Sequence, residues 1–145
     1  MMLEEKDVML CYQCATCTGS CPVARFDSRY NPRLMILRIA HGEEERVIDS
    51  EALWWCTTCF TCQERCPQNI KVTEVILAMQ NKAFGLGKAP VKFTKSIEAI
   101  YKDGITSPLS GFTLKQRERI GLSEIEVNVS AAQEIIQECI GGFKK

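Results

Sequence analysis

The chain has 145 residues, 46% of them hydrophobic, and its 18 basic residues balance 18 acidic ones. That length suits one compact domain with a core, and the neutral balance leaves no global field to recruit nucleic acid or an anionic bilayer. No apolar run approaches the roughly 20 residues of a membrane span, and nine cysteines in a chain read as cytoplasmic argue for metal ligation over a disulfide scaffold, because reducing compartments keep thiols unpaired.

In chain order, Met1 to Leu10 carries Glu4, Glu5 and Asp7 and lacks the basic and apolar regions of a signal peptide, hence the expected cytoplasmic location. Next comes Cys11-x-x-Cys14-x-x-Cys17-x-x-x-Cys21-Pro22, and the pattern returns as Cys56-x-x-Cys59-x-x-Cys62-x-x-x-Cys66-Pro67. Three cysteines at steps of three let a short loop wrap one corner of a cubane, each thiolate reaching a different iron. The spacing and the closing proline are those of the bacterial two-cluster ferredoxin run, in which the fourth cysteine of each run ligates the other cluster. The expected ligand sets are therefore Cys11, Cys14, Cys17 and Cys66 for one [4Fe-4S] cluster, and Cys56, Cys59, Cys62 and Cys21 for the second. Zinc is the competing reading of C-x-x-C, but zinc sites use two separated knuckles, whereas here three evenly stepped cysteines precede C-P twice.

Between the runs, Asn31 as N-cap, Pro32 at the first position and Gly42 as stop frame a helix over Arg33 to His41. Leu34, Met35, Ile36, Leu37, Ile39 and Ala40 make it apolar nearly all round, so it is expected to be buried. Ser50 starts a short helix carrying Leu53, Trp54 and Trp55 into the second run; core packing is the reading for one tryptophan, and shielding a cluster from water stays open for the other. After Pro67, Val72, Val75, Ile76, Met79 and Ala83 predict a helix over 72–84 ended by Gly85 and Gly87, and a further helix spans 90–102 up to Gly104. Lys82, Lys88, Lys92 and Lys95 form a basic strip, read as a solvated face with docking to an acidic partner as the alternative. Beyond Ile105 the periodic signal weakens, apart from short helices around 113–119 and 131–140 and a hint of strand over Ile125 to Val129.

The resulting expectation is a mainly α protein: a helical two-cluster domain over 1–104 and a C-terminal extension over 105–145 that runs onto a partner chain. His41 is placed as a C-terminal dipole partner of its helix, and Cys139 as a small buried apolar residue on the last helix. Eight cysteines used as ligands leave closed clusters without an open metal position. Gly85-Leu86-Gly87 lacks the third glycine of a dinucleotide fingerprint, and no catalytic residue is assigned.

CYQCATCTGSCP, WWCTTCFTCQERCP, the helical spacer, KVTEVI and RERIGLS together resemble the C-type iron-sulfur subunit of heterodisulfide reductase, among the α-helical ferredoxin-like proteins. The resemblance covers most of the chain from Cys11 to about Ser123. It implies an electron conduit in a hetero-oligomer, fed by a flavin-containing subunit and emptied into a separate catalytic subunit that reduces a disulfide. The adjacent Cys-Cys pair expected of that catalytic subunit is absent here. The alternative is the iron-sulfur subunit of a succinate dehydrogenase or fumarate-reductase-like complex, or of another dehydrogenase, which uses a similar helical cluster domain.

Overall fold

A computed structural model describes residues 8–106, 109–123, 125 and 127–140, and every regular element among them is helical. The chain divides into two compact units, Met1–Ala89 and Pro90–Lys145. No helix among the described residues is long and apolar enough to cross a membrane.

In the first unit, α1 (Thr16–Gly19) lies within the first cysteine run, α2 (Pro22–Phe26) follows it, α3 spans Pro32–Ala40, and α4 spans Glu44–Ile48. A 3-10 turn over Glu51–Trp55 leads into the second run, which contains α5 (Thr61–Glu64) and is followed by α6 (Val72–Gly85). Helix α3 begins as its sequence predicts: Asn31 Oδ1 accepts from the Leu34 N–H at 3.0 Å, with Pro32 in the first turn. The Thr18 hydroxyl donates to the same Oδ1 at 3.0 Å and accepts from the Arg33 N–H at 2.9 Å. One threonine thereby ties the first run to the start of α3, satisfying backbone donors that a helix N-terminus leaves open. Gly42 closes the helix at φ +74°, a left-handed conformation that costs glycine little.

The core lies where α3, α4, the 3-10 turn and α6 meet. Helix α6 buries Val72, Val75, Ile76, Met79 and Ala83 along one stripe, against Ile36 and Met35 of α3, Val47 and Ile48 of α4, and Leu53. Burying each large aliphatic side chain is worth about 1.5–3 kcal/mol, so this stripe holds the frame that carries both runs. Of the apolar residues of α3, only Met35 and Ile36 are fully buried beside Pro32; Leu34, Leu37 and Ile39 are half-buried, so the helix is less enclosed than its composition suggests. Trp54 and Trp55 both pack against this core, and the Arg29 guanidinium lies 4.7 Å from the centre of the Trp55 ring. Lys82 pairs with Glu44 and Lys88 with Asp49, so half of the expected basic strip is already matched by acid within the unit. His41 is exposed at the C-cap of α3, the position expected for it.

The second unit contains α7 (Val91–Asp103), α8 (Gly111–Arg119) and α9 (Val129–Ile140). Helices α7 and α9 pack together, and the Tyr101 carbonyl and hydroxyl accept from Gln133 Nε2 at 3.0 Å and Gln137 Nε2 at 3.3 Å. Gly104, at φ +70°, turns the chain at the end of α7, where a Cβ would run into the Val127 side chain. None of the described residues here is buried. The division between units falls after residue 89, and α7 packs on α9 within the second unit. Two expectations are corrected. Cys139 is exposed on α9, not buried. Among its described residues, the stretch 125–129 contains no strand; instead the Asn128 Oδ1 accepts from the Ala131 N–H at 3.2 Å, the bond of a helix N-cap, and Val129 opens α9.

Candidate functional site

The two cysteine runs adopt one backbone. Gln13 and Ala15 flank Cys14 with φ of 62° and 67°, and Thr58 and Phe60 flank Cys59 with φ of 51° and 60°. Each run then enters a single helical turn, α1 or α5, and these two turns pack on each other. Left-handed conformation costs a non-glycine residue about 1–2 kcal/mol, and a β-branched residue such as Thr58 is a pronounced outlier. Such residues curl the chain and turn N–H groups toward one concave side, an arrangement suited to anionic sulfur. Even the threonine partners repeat: Cys14 Sγ lies 3.3 Å from Thr16 Oγ1 and Cys59 Sγ 3.5 Å from Thr61 Oγ1. These bonds hold both exposed thiols below the usual cysteine range.

Cys21, the last cysteine of the first run, does not close on its own loop. It lines a cavity with Cys56, Cys59 and Cys62, together with Tyr30 and Thr73. Burial pushes the Cys62 thiol up, the Thr73 hydroxyl at 3.3 Å partly offsets this, and Cys56, Cys21 and Cys59 are near enough to add to the rise. Tyr30 is buried against the same cavity, and burial first, then the neighbouring Cys56, drives its pKa far above the usual tyrosine range.

Cys66, the last cysteine of the second run, lies near Tyr12 of the first. The phenol of Tyr12 is raised by desolvation and then by Cys14, Cys66 and Cys11, which places Cys66 beside the first run. Cys66 Sγ accepts from the Ile70 N–H at 3.3 Å; Cys11 Sγ accepts from Gln13 Nε2 at 3.2 Å, whose own Oε1 accepts from Arg33 Nη1 at 3.2 Å. Burial pushes the Cys17 thiol up to about 11, Thr18 works against this, and both Cys11 and Cys62 contribute, so Cys17 and Cys62 lie on the side where the two groupings meet.

Ligation requires thiolates, so thiols pushed up by burial release protons when metal binds. Thiolates around a single zinc crowd one centre at Zn–S distances of ~2.3 Å. Among the described residues no three His, Cys, Asp or Glu side chains converge on one ion-sized point, while four thiols surround the second-site cavity. A donor set of thiols alone, spread around a cavity and wrapped by left-handed backbone, fits an iron-sulfur cluster. The hydroxyl of Thr73 and the amide of Gln13, each bonded to a cysteine sulfur, and the buried Tyr30 beside them do not stand out in the sequence, because Tyr30 and Thr73 reach the cysteines only through the fold. For Gln13 a signal exists in hindsight: a polar residue between two ligands of one loop.

The family model of the 4Fe-4S dicluster domain matches residues 7–70, a span that contains both runs. The CoB--CoM heterodisulfide reductase iron-sulfur subunit of Methanopyrus kandleri, of the C type, is 36% identical over 94% of this chain and 72% of its own length. The C-type subunit of the ferredoxin:CoB-CoM heterodisulfide reductase of Methanosarcina mazei is 38% identical over 91% of this chain and 81% of its own. A second C-type iron-sulfur subunit, from Methanocaldococcus jannaschii, is 33% identical over 92% and 70%. With a dicluster domain in a helical frame and relatives of this kind along nearly its full length, the chain belongs to the family of C-type iron-sulfur subunits of heterodisulfide reductase, which are electron-transfer proteins.

Proposed function

We propose that this chain relays electrons inside a hetero-oligomeric complex, taking them from a flavin-containing subunit and passing them to a catalytic subunit that reduces a disulfide. The observation that carries the reading is the cavity in which Cys21 joins Cys56, Cys59 and Cys62. It supports an exchange of ligands, with Cys21 completing the second site and Cys66 completing the first. A bound [4Fe-4S] cluster supplies one-electron redox chemistry at each site. The chain's own residues hold the two sites next to each other through the packing of α1 on α5, exclude water through α6 and Tyr30, and leave Cys14 and Cys59 exposed as the outermost thiols toward partners.

The C-terminal extension, residues 105–145, is the segment proposed to contact a partner chain. It buries none of its described residues and exposes apolar side chains such as Phe112 and Ile120, as segments completed by another chain do. Unpaired thiols of this kind suit a reducing cytoplasm. The test is reconstitution of the complex with its neighbouring subunits, captured anaerobically on this chain. Omitting the chain is expected to abolish disulfide reduction from the flavin side; reduction at an undiminished rate without it refutes the relay role.

A further inference from the structure

Because the two runs share their backbone and their threonine partners, differences between the sites come from side chains outside that shared frame. At the second site these are two hydroxyls. Thr73 Oγ1 lies 3.3 Å from Cys62 Sγ, Tyr30 lines the same cavity as Cys56, and both residues are only 1% exposed. At the first site the Gln13 amide donates to Cys11 and the Ile70 N–H to Cys66, and the hydroxyl-bearing neighbours of its cysteines, Tyr12 and Thr18, are not buried.

A cysteine that ligates iron has no proton left to give, so a hydroxyl that meets a ligating sulfur must be the donor, as Thr73 is to Cys62. A hydrogen bond to sulfur stabilises negative charge there. It strengthens when the site gains an electron, the more so in surroundings of low dielectric. We propose that Tyr30 and Thr73 are positioning residues that raise the reduction potential of the cluster held by Cys21, Cys56, Cys59 and Cys62 through O–H···S bonds, independently of the other site. This rests on the two-cluster reading above. The bland alternative is that each hydroxyl merely satisfies itself against the nearest acceptor, in which case its loss leaves the potential where it was.

The full-length chain, purified anaerobically, is to be analysed for iron and sulfide and then titrated under electron paramagnetic resonance, as wild type, Tyr30→Phe, Thr73→Val and Thr73→Ser. In Tyr30→Phe and Thr73→Val one midpoint is expected to fall, by about tenfold in the reduction equilibrium, or ~59 mV for one electron, while the other holds. Thr73→Ser keeps the hydroxyl and should keep the wild-type midpoint. If Tyr30→Phe fails to load, the Val/Ser pair at Thr73 decides alone. Unmoved midpoints in loaded variants overturn the proposal, as does an equal fall of both. Wild type lacking iron and sulfide for two clusters would instead bring down the two-cluster reading itself, so the two failures are distinct.

Discussion

The two cysteine runs are alike in backbone and unlike in surroundings. Left-handed residues fall at the same two places in each, and the same threonine supports the middle cysteine. Yet Cys21 and Cys62, assigned to the second site in the proposed grouping, are buried, whereas Cys11, Cys17 and Cys66, assigned to the first, are half-exposed. A repeated loop therefore specifies what is held, and the helices packed around it specify in what environment. Burial and hydrogen bonding to sulfur are the levers by which a protein separates the potentials of two otherwise equal clusters.

The likeness of the two sites fails most severely if the grouping of ligands is wrong. With the first site already crippled by Cys11→Ala, a further Cys66→Ala is expected to cost little, leaving roughly half of the iron of a two-cluster chain. Cys11→Ala combined with Cys21→Ala should remove nearly all of it. Iron and sulfide analysis of the two double variants decides; the opposite pattern would return each fourth cysteine to its own run.

A smaller effect tests the shared backbone. Ala15→Gly and Thr58→Gly each relieve a left-handed residue, and each is expected to stabilise the cluster-loaded chain by about 1 kcal/mol. Denaturant midpoints measured anaerobically should rise similarly for both. A gain in one run and a loss in the other would show that the loops are held differently.

The smallest effect concerns the difference in environment. Gln13→Leu removes the amide donor from Cys11, and the midpoint of the cluster at the first site is expected to fall, by under about 1 kcal/mol in a site open to water. Redox titration should show the second midpoint unchanged, the mirror image of Tyr30→Phe.

How much of this is legible in the sequence follows from how local each determinant is. Cysteine spacing, the Asn31-Pro32 start of α3, the stop at Gly42 and the apolar stripe of α6 are set within a few residues, and the structure shows each where the pattern puts it. The left-handed positions are hidden because Gln, Ala, Thr and Phe occupy them, none of the usual markers. Tyr30 and Thr73 reach the cavity only once α3 and α6 have packed. In the C-terminal unit, the alternation over 125–129 imitates a strand, but Asn128 can cap a helix and does so. Cys139 sits on a helix whose packing on α7 leaves that position outside.

That Cys21 shares a cavity with cysteines of the second run also bears on how the chain comes into being. A nascent polypeptide that has left the ribosome only as far as the first helical turn displays thiols but no finished cage, since the partner of each half is still unsynthesised. Under the proposed exchange of ligands, a complete set of four thiolates exists at either site only after translation has passed Cys66.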